Sequence, residues 1–256
     1  MGKHEKVQDK KFRIYIVFIL HIISWLILIY SLVKIFKWNI DNKQNEDIMQ
    51  EISNSIVIVD TQEEEETQEE QYEIDFATLK QTNNNTVAFL KVNGTEISHP
   101  IVQAKDNEFY LKHSFDKSYN AAGWIFADYK NKFDGTDKNI VIYGHNRKNG
   151  TMFSSLKNIL KQEWNSNQEN LKIQLITEDE KSIYEVFSVY QIEKEEYYIQ
   201  TEFKSEEDFS KFIKTLKSRS IKSFECDVTA EDKVLTLSTC ANDNNYRVVL
   251  HAKKVS

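Results

Sequence analysis

Cys240 closes the run LTLSTC at residues 235–240, and one other cysteine, Cys226, occurs in the chain. Sulfur in such a place can do two kinds of chemistry. As a thiolate it attacks acyl carbonyls and forms a thioester. Joined to Cys226, fourteen residues earlier, it becomes a staple of the kind that oxidising compartments allow. A loop of that length closes readily, but a disulfide also needs Cα atoms within about 7 Å, which spacing does not decide. Composition leaves nucleophile, disulfide and small core residue all open.

A nucleophile needs help, because the thiolate is the reactive form and a free thiol titrates near about 8.5. A histidine or a positive charge must stand beside it. Six histidines are present. His4 and His21 precede or lie within an apolar run over 14–36 and cannot reach. Of the others, His145 has the best setting. It follows IVIYG, an apolar run suited to a buried strand, and Gly144 lets the chain turn after it. His251 is the main rival, sharing strand parity with Arg247. His113 reads equally well as a surface residue, and His99, before Pro100, as a packed one. The four arginines sort similarly. Arg13 precedes the apolar run, Arg219 suits the C-terminal end of a helix, and Arg147 reads as solvated. Arg247 lies seven residues past Cys240. If the two flank a hairpin, the loop ANDNNY brings its planar, always-charged donors back to the thiol. A lone arginine there could equally form a cross-strand salt bridge. No His/Cys pair occurs at short zinc-ligand spacing, so neither metal nor cofactor is expected.

These side chains must be positioned by the rest of the chain. Residues 1–13 hold five Lys/Arg against two acids, and IYIVFILHIISWLILIYSLVKIF follows at 14–36. A stretch of about 20 apolar residues spans a bilayer. No small-residue cleavage site follows it, so it reads as an uncleaved signal anchor with a cytoplasmic basic tail at 1–13. Residues 37–71 are polar and include DTQEEEETQEE, which repels itself and reads as an extracellular stalk. The remaining residues, 72–256, read as one domain. Eight runs rich in Val, Ile, Phe and Tyr, from VAFLKVNG to YRVVLHAKKV, suggest a β-barrel or sandwich. A short helix is expected over 71–82. Two more are expected at GTMFSSLKNILKQEW and SEEDFSKFIKTLKSRS. The latter has Ser205 and Asp208 as a capping box and Phe209, Phe212, Ile213 and Leu216 as a stripe. A net charge of −7 argues against nucleic-acid binding.

TLSTC at 236–240, an arginine on the next strand and a histidine after an apolar strand together resemble the sortases. AGWIFADY, NIVIYGHN, NGTMFSSL and YYIQTEF resemble class B in particular. The resemblance spans about residues 72–256 together with the N-terminal anchor. It implies a mainly β fold: an eight-stranded closed barrel with an N-terminal helix and a helical insertion before the cysteine strand. It implies a cysteine transpeptidase at the cell membrane, with a single pass and the catalytic domain outside. In that role Cys240 attacks a sorting motif near the C-terminus of a surface protein. His145 protonates the leaving amine, and Arg247 orients the peptide or steadies the oxyanion. An amine of the cell-wall peptide or its precursor then takes the acyl group. Asn107, Leu111, Tyr198, Ile199 and Ser238 match the family's peptide groove, with Tyr197 as the alternative to Tyr198. The loop between Cys240 and Arg247 is shorter than the family leads one to expect.

Two other readings compete. An L,D-transpeptidase-like peptidoglycan enzyme would also use cysteine, but the residues before Cys240 lack the His and Gly of that motif. A non-catalytic tethered β-domain would pair Cys226 with Cys240.

Overall fold

The computed structural model describes residues 2–59, 71–147, 149–240 and 246–256. The acidic run at 60–70 and the loop at 241–245, both singled out above, lie outside the described residues. The chain divides into two compact units, Met1–Glu46 and Asp47–Ser256.

The first unit is helical. Helix α1 runs from Gly2 to Ile52, and the stretch from Phe12 to Ser55 is long and apolar enough to cross a membrane. Within the segment read above as a stalk, α1 continues to Ile52. The end of α1 belongs to the second unit, where Ile48 and Ile52, one helical turn apart, join its core. Strand β1 (Ile56–Val59) then pairs antiparallel with β2 (Gln71–Ile74). The high polarity of the segment as a whole hides these short apolar stretches.

Helix α2 (Phe76–Thr82) opens the barrel unit, capped by Asp75, whose side chain accepts from the Thr78 N–H. The eight expected strands follow. They are β3 (Thr86–Val92), β4 (Ser98–Val102), β5 (Phe126–Ala127), β6 (Asn139–His145), β7 (Lys172–Ile176), β8 (Lys181–Glu193), β9 (Val234–Cys240) and β10 (Tyr246–Lys254). They close into a barrel in the order β10-β8-β7-β3-β4-β5-β6-β9. All neighbours are antiparallel except β4–β5 and β6–β9.

Strand alternation divides the side chains between two apolar clusters. Leu235, Leu237, Leu250 and Ala252 enter the main core with Phe89, Trp124 and Ile142. Val234 and Val249, of opposite parity, face a second cluster built by the insertion. The insertion carries helix α4 (Glu206–Arg219), started by Ser205, whose hydroxyl accepts from the Asp208 N–H. Phe209, Phe212, Ile213 and Leu216 are its buried stripe, each worth roughly 1.5–3 kcal/mol on burial. The expected helix at 150–164 takes another form. Phe153–Leu160 is 3₁₀ and only Gln162–Asn165, α3, is α-helical. The buried Phe153, Leu156 and Ile159 recur every third residue, which matches three residues per turn.

Candidate active site

Three strands side by side carry the three candidate catalytic residues. The parallel pairing of β6 with β9 sets His145 directly beside Cys240, as it sets Tyr143 beside Ser238. The antiparallel pairing of β9 with β10 sets Val249 opposite Ser238. Continued by two residues, that register puts Arg247 opposite Cys240. Thr239 turns the other way, and its hydroxyl accepts from the Val248 N–H at 2.9 Å, which ties the two strand ends together.

His145 is the last residue of β6 rather than a loop residue after it. Gly144 does not turn the chain. A Cβ there would lie 2.6 Å from the Phe153 ring, so glycine makes room for the 3₁₀ segment. The His145 ring is fixed by backbone. Its Nε2 is 2.8 Å from the Leu111 carbonyl and therefore donates, which leaves Nδ1 as the atom free to exchange a proton. Gly123, at φ +62°, closes the space behind: a Cβ there would meet His145 Cδ2 at 2.8 Å and the Tyr110 carbonyl at 2.5 Å. Burial lowers the His145 pKa, the bond to Leu111 opposes this, and Arg147 and Arg247 lower it further.

Cys240 is half-buried and unpaired. Burial pushes its thiol up to about 12, against the pull of Arg247. Burial raises the Tyr198 pKa, and among its neighbours Ser238 and Arg247 pull it back down; the Tyr198 hydroxyl is 3.1 Å from Ser238 Oγ. Among the described residues three buried side-chain polar atoms have no partner, and two of them are His145 Nδ1 and Arg247 Nη1. Buried polar atoms are almost always satisfied, so two orphans flanking one thiol mark a place where other groups are meant to bind.

Two of the proposed groove residues, Leu111 and Ser238, directly adjoin the candidate catalytic side chains or their strands. Leu111 supplies the carbonyl that holds His145. Asn107 donates to Asp128 Oδ2 at 2.8 Å and accepts from the Tyr129 N–H at 3.0 Å. Tyr143 donates to the same Asp128 oxygen at 2.8 Å. Ser238 is buried beneath Tyr198. Ile199 packs on the insertion cluster. Tyr198, not Tyr197, reaches Ser238; the Tyr197 hydroxyl donates to Tyr190 instead.

The rivals are engaged elsewhere. His251 is fully buried, with Nε2 2.8 Å from the Tyr190 hydroxyl and Nδ1 2.9 Å from Thr236 Oγ1. Burial pushes its pKa down to about 3. His99 is pushed down to about 4 by burial, and its Nδ1 accepts from the Ser98 N–H. His113 stacks on Phe109. Arg147 reaches the Ala121 carbonyl at 3.2 Å. Cys226 is free as well, so the Cys226–Cys240 staple is not formed. Its Sγ rests 3.8 Å from the Glu185 carbonyl in the insertion cluster, and burial pushes it up to about 11. Among the described residues no group of three or more His, Cys, Asp or Glu side chains converges as metal ligands do.

The family described as the Sortase domain matches residues 90–255. With its barrel and its Cys–His–Arg strand ends, the chain belongs to the sortases, which are cysteine transpeptidases. Sortase B of Listeria monocytogenes is 34% identical over 190 residues, covering 70% of this chain and 73% of that one. The X-ray structure of Clostridium perfringens sortase B is 39% identical with a TM-score of 0.67, covering 71% of this chain and all of that one. A Staphylococcus aureus sortase B–substrate complex is 26% identical with a TM-score of 0.67, covering 86% and 94%. Within the family this is a class B sortase.

Proposed function

We propose that the protein cleaves a sorting motif near the C-terminus of surface proteins and transfers the acyl group to a cell-wall peptide amine. The observation that carries this reading is the pair of unsatisfied buried atoms, His145 Nδ1 and Arg247 Nη1, on the strands either side of Cys240. In the first half-reaction the Cys240 sulfur adds to the carbonyl of the threonine before the scissile bond. The developing oxyanion takes the free Arg247 N–H. His145, protonated at Nδ1 while Nε2 stays on the Leu111 carbonyl, gives that proton to the departing amine as the C–N bond breaks. A thioester and a free amine result. In the second half-reaction the acceptor amine adds to the thioester and gives a proton back to Nδ1. The C–S bond breaks, and an amide and the starting thiolate–imidazolium pair remain.

Asn107, Leu111, Tyr198, Ile199 and Ser238 line the groove in this reading, as a staphylococcal relative binds a substrate. The apolar helix would hold residues 72–256 outside the membrane, with the 1–13 tail in the cytoplasm and residues 37–71 between them. The test is a quenched sorting-type peptide with and without an amine acceptor, followed by mass spectrometry. Wild type should cleave, hold the acyl group on Cys240 and form the amide when amine is present. Absence of cleavage, or equal cleavage by Cys240→Ala, would overturn the reading.

A further inference from the structure

The segment Tyr197–Gln200 bears Tyr198 and Ile199, and a chain of hydrogen bonds runs from one end of it through the barrel wall and back to the other. The donor direction of every link follows from the one before. Asn139 Nδ2 donates to the Gln200 carbonyl at 2.8 Å, so Asn139 Oδ1 is the acceptor for the Thr236 hydroxyl at 2.7 Å. With its proton spent there, Thr236 Oγ1 can only accept from His251, which must carry its proton on Nδ1. His251 Nε2 is then a bare lone pair and accepts a hydrogen bond from the Tyr190 hydroxyl. Tyr190 Oη in turn accepts from the Tyr197 hydroxyl at 3.3 Å.

The route crosses β8, β10, β9 and β6, the wall beneath the segment. His251 is its centre, with no exposed surface. A neutral imidazole suits this position because it both donates and accepts, from two atoms on opposite sides of a rigid ring. Burial without a counter-charge keeps it neutral. Between the two anchored ends, Tyr198 reaches Ser238 and feels the charge of Arg247.

We infer that His251, in its Nδ1–H tautomer, is a positioning residue that holds the Tyr197–Gln200 segment against the barrel so that Tyr198 and Ile199 keep their places beside Ser238 and Arg247. It touches neither thiol nor peptide and acts through Tyr190 and Thr236. The inference rests on the sortase reading for what the segment does and on the hydrogen bonds alone for the tautomer.

The test uses the full-length protein in detergent micelles. Its histidines are ¹⁵N-labelled, and His251 is identified by its loss in His251→Phe. The ¹⁵N shifts of His251 should report a protonated Nδ1 and a bare Nε2, unchanged from pH 8 to pH 5. A protonated Nε2 would overturn the inference, whatever the enzyme does. In kinetics on the sorting peptide, His251→Phe and Tyr197→Phe should raise KM, by at least tenfold and by severalfold respectively, with kcat moving far less. Alkylation of Cys240 by iodoacetamide should keep its wild-type rate and pH profile in both. Tyr197→Phe trims a half-buried hydroxyl at the end of the chain, so it keeps the test open if His251→Phe fails to fold. Wild-type KM in Tyr197→Phe, or a changed Cys240 alkylation profile, would overturn the inference. A wild-type protein that cleaves no peptide would instead sink the sortase reading and leave the tautomer result standing.

Discussion

At neutral pH Cys240 should be a slow nucleophile toward a small reagent, and the structure sets how slow. Burial holds the thiol at about 12 even with Arg247 on the neighbouring strand. At pH 7.5 the thiolate fraction is then ~3 × 10⁻⁵, against ~0.1 for a free cysteine titrating near 8.5. That deficit of roughly 3,000-fold is partly offset, because a more basic thiolate is intrinsically more reactive, by roughly 40-fold over this interval. Iodoacetamide should therefore alkylate Cys240 about a hundredfold more slowly than free cysteine at pH 7.5. The shape of the profile is diagnostic, since limited access lowers the rate by a constant factor at every pH. The rate should climb tenfold per pH unit from 7 to 10 without a plateau. A Cys226→Ser background removes the other thiol, and intact-mass spectrometry counts the product. Arg247→Ala removes the one charge that favours the thiolate and should be slower throughout. A plateau at or below pH 9, or faster alkylation in Arg247→Ala, would refute the reasoning.

Acid should weaken the Asp47–Ser256 unit through two neutral histidines, the buried His251 and the half-buried His99. His251 and His99 are held at about 3 and about 4 in the fold against 6.5 unfolded. Their contribution is complete above 6.5 and is lost as pH falls toward the folded values, because the unfolded chain binds the protons first. From pH 7.5 to 5 the loss is about 2 kcal/mol for each histidine, read by urea unfolding, and His251→Gln should remove about half of that pH dependence. Gly123→Ala should pay twice, with left-handed strain of about 1–2 kcal/mol and a displaced His145 ring that lowers kcat/KM by roughly a hundredfold. Gly135→Ala, at φ +82° with nothing within 4 Å, should show comparable strain with unchanged kcat/KM. Ser205→Ala removes the α4 cap and should cost about 1 kcal/mol in the same urea assay, leaving peptide cleavage intact.

Much of the fold was legible because its signals are local. Alternation of Val, Ile and Phe marked all eight barrel strands. Ser205 and the Phe209–Leu216 stripe marked α4, since a cap and a 3.6-residue period need no partner to be read. The parity of Ser238 with Cys240 and the lone downstream Arg247 also survive as geometry. What stayed hidden depends on register or on backbone. Asp128 and Tyr143 sit in runs that read simply as strands, and Asp128 accepts from both Tyr143 and Asn107 only once β6 lies beside β5. The carbonyl of Leu111 has no side-chain signature at all, yet it decides which nitrogen of His145 is left free. Gly144 looked like a turn because glycines usually punctuate, whereas here it yields space to Phe153. The segment at 37–71 read as a stalk because charge dominates its average, and Ile48, Ile52 and β1 are too short to change that average.

The parallel pairing of β6 with β9 has a consequence for the order of events in folding. Parallel neighbours cannot be joined by a tight hairpin, and pairings between distant segments form late, after the entropy of closing long loops has been met. His145 and Cys240 are thus strangers until the barrel is nearly shut. Before that moment the chain carries a thiol with no imidazole beside it, even where β9 and β10 have already paired. A half-folded molecule therefore holds its sulfur apart from the histidine that the proposed reaction needs, and the docking of β6 beside β9 completes that pair as it closes the barrel.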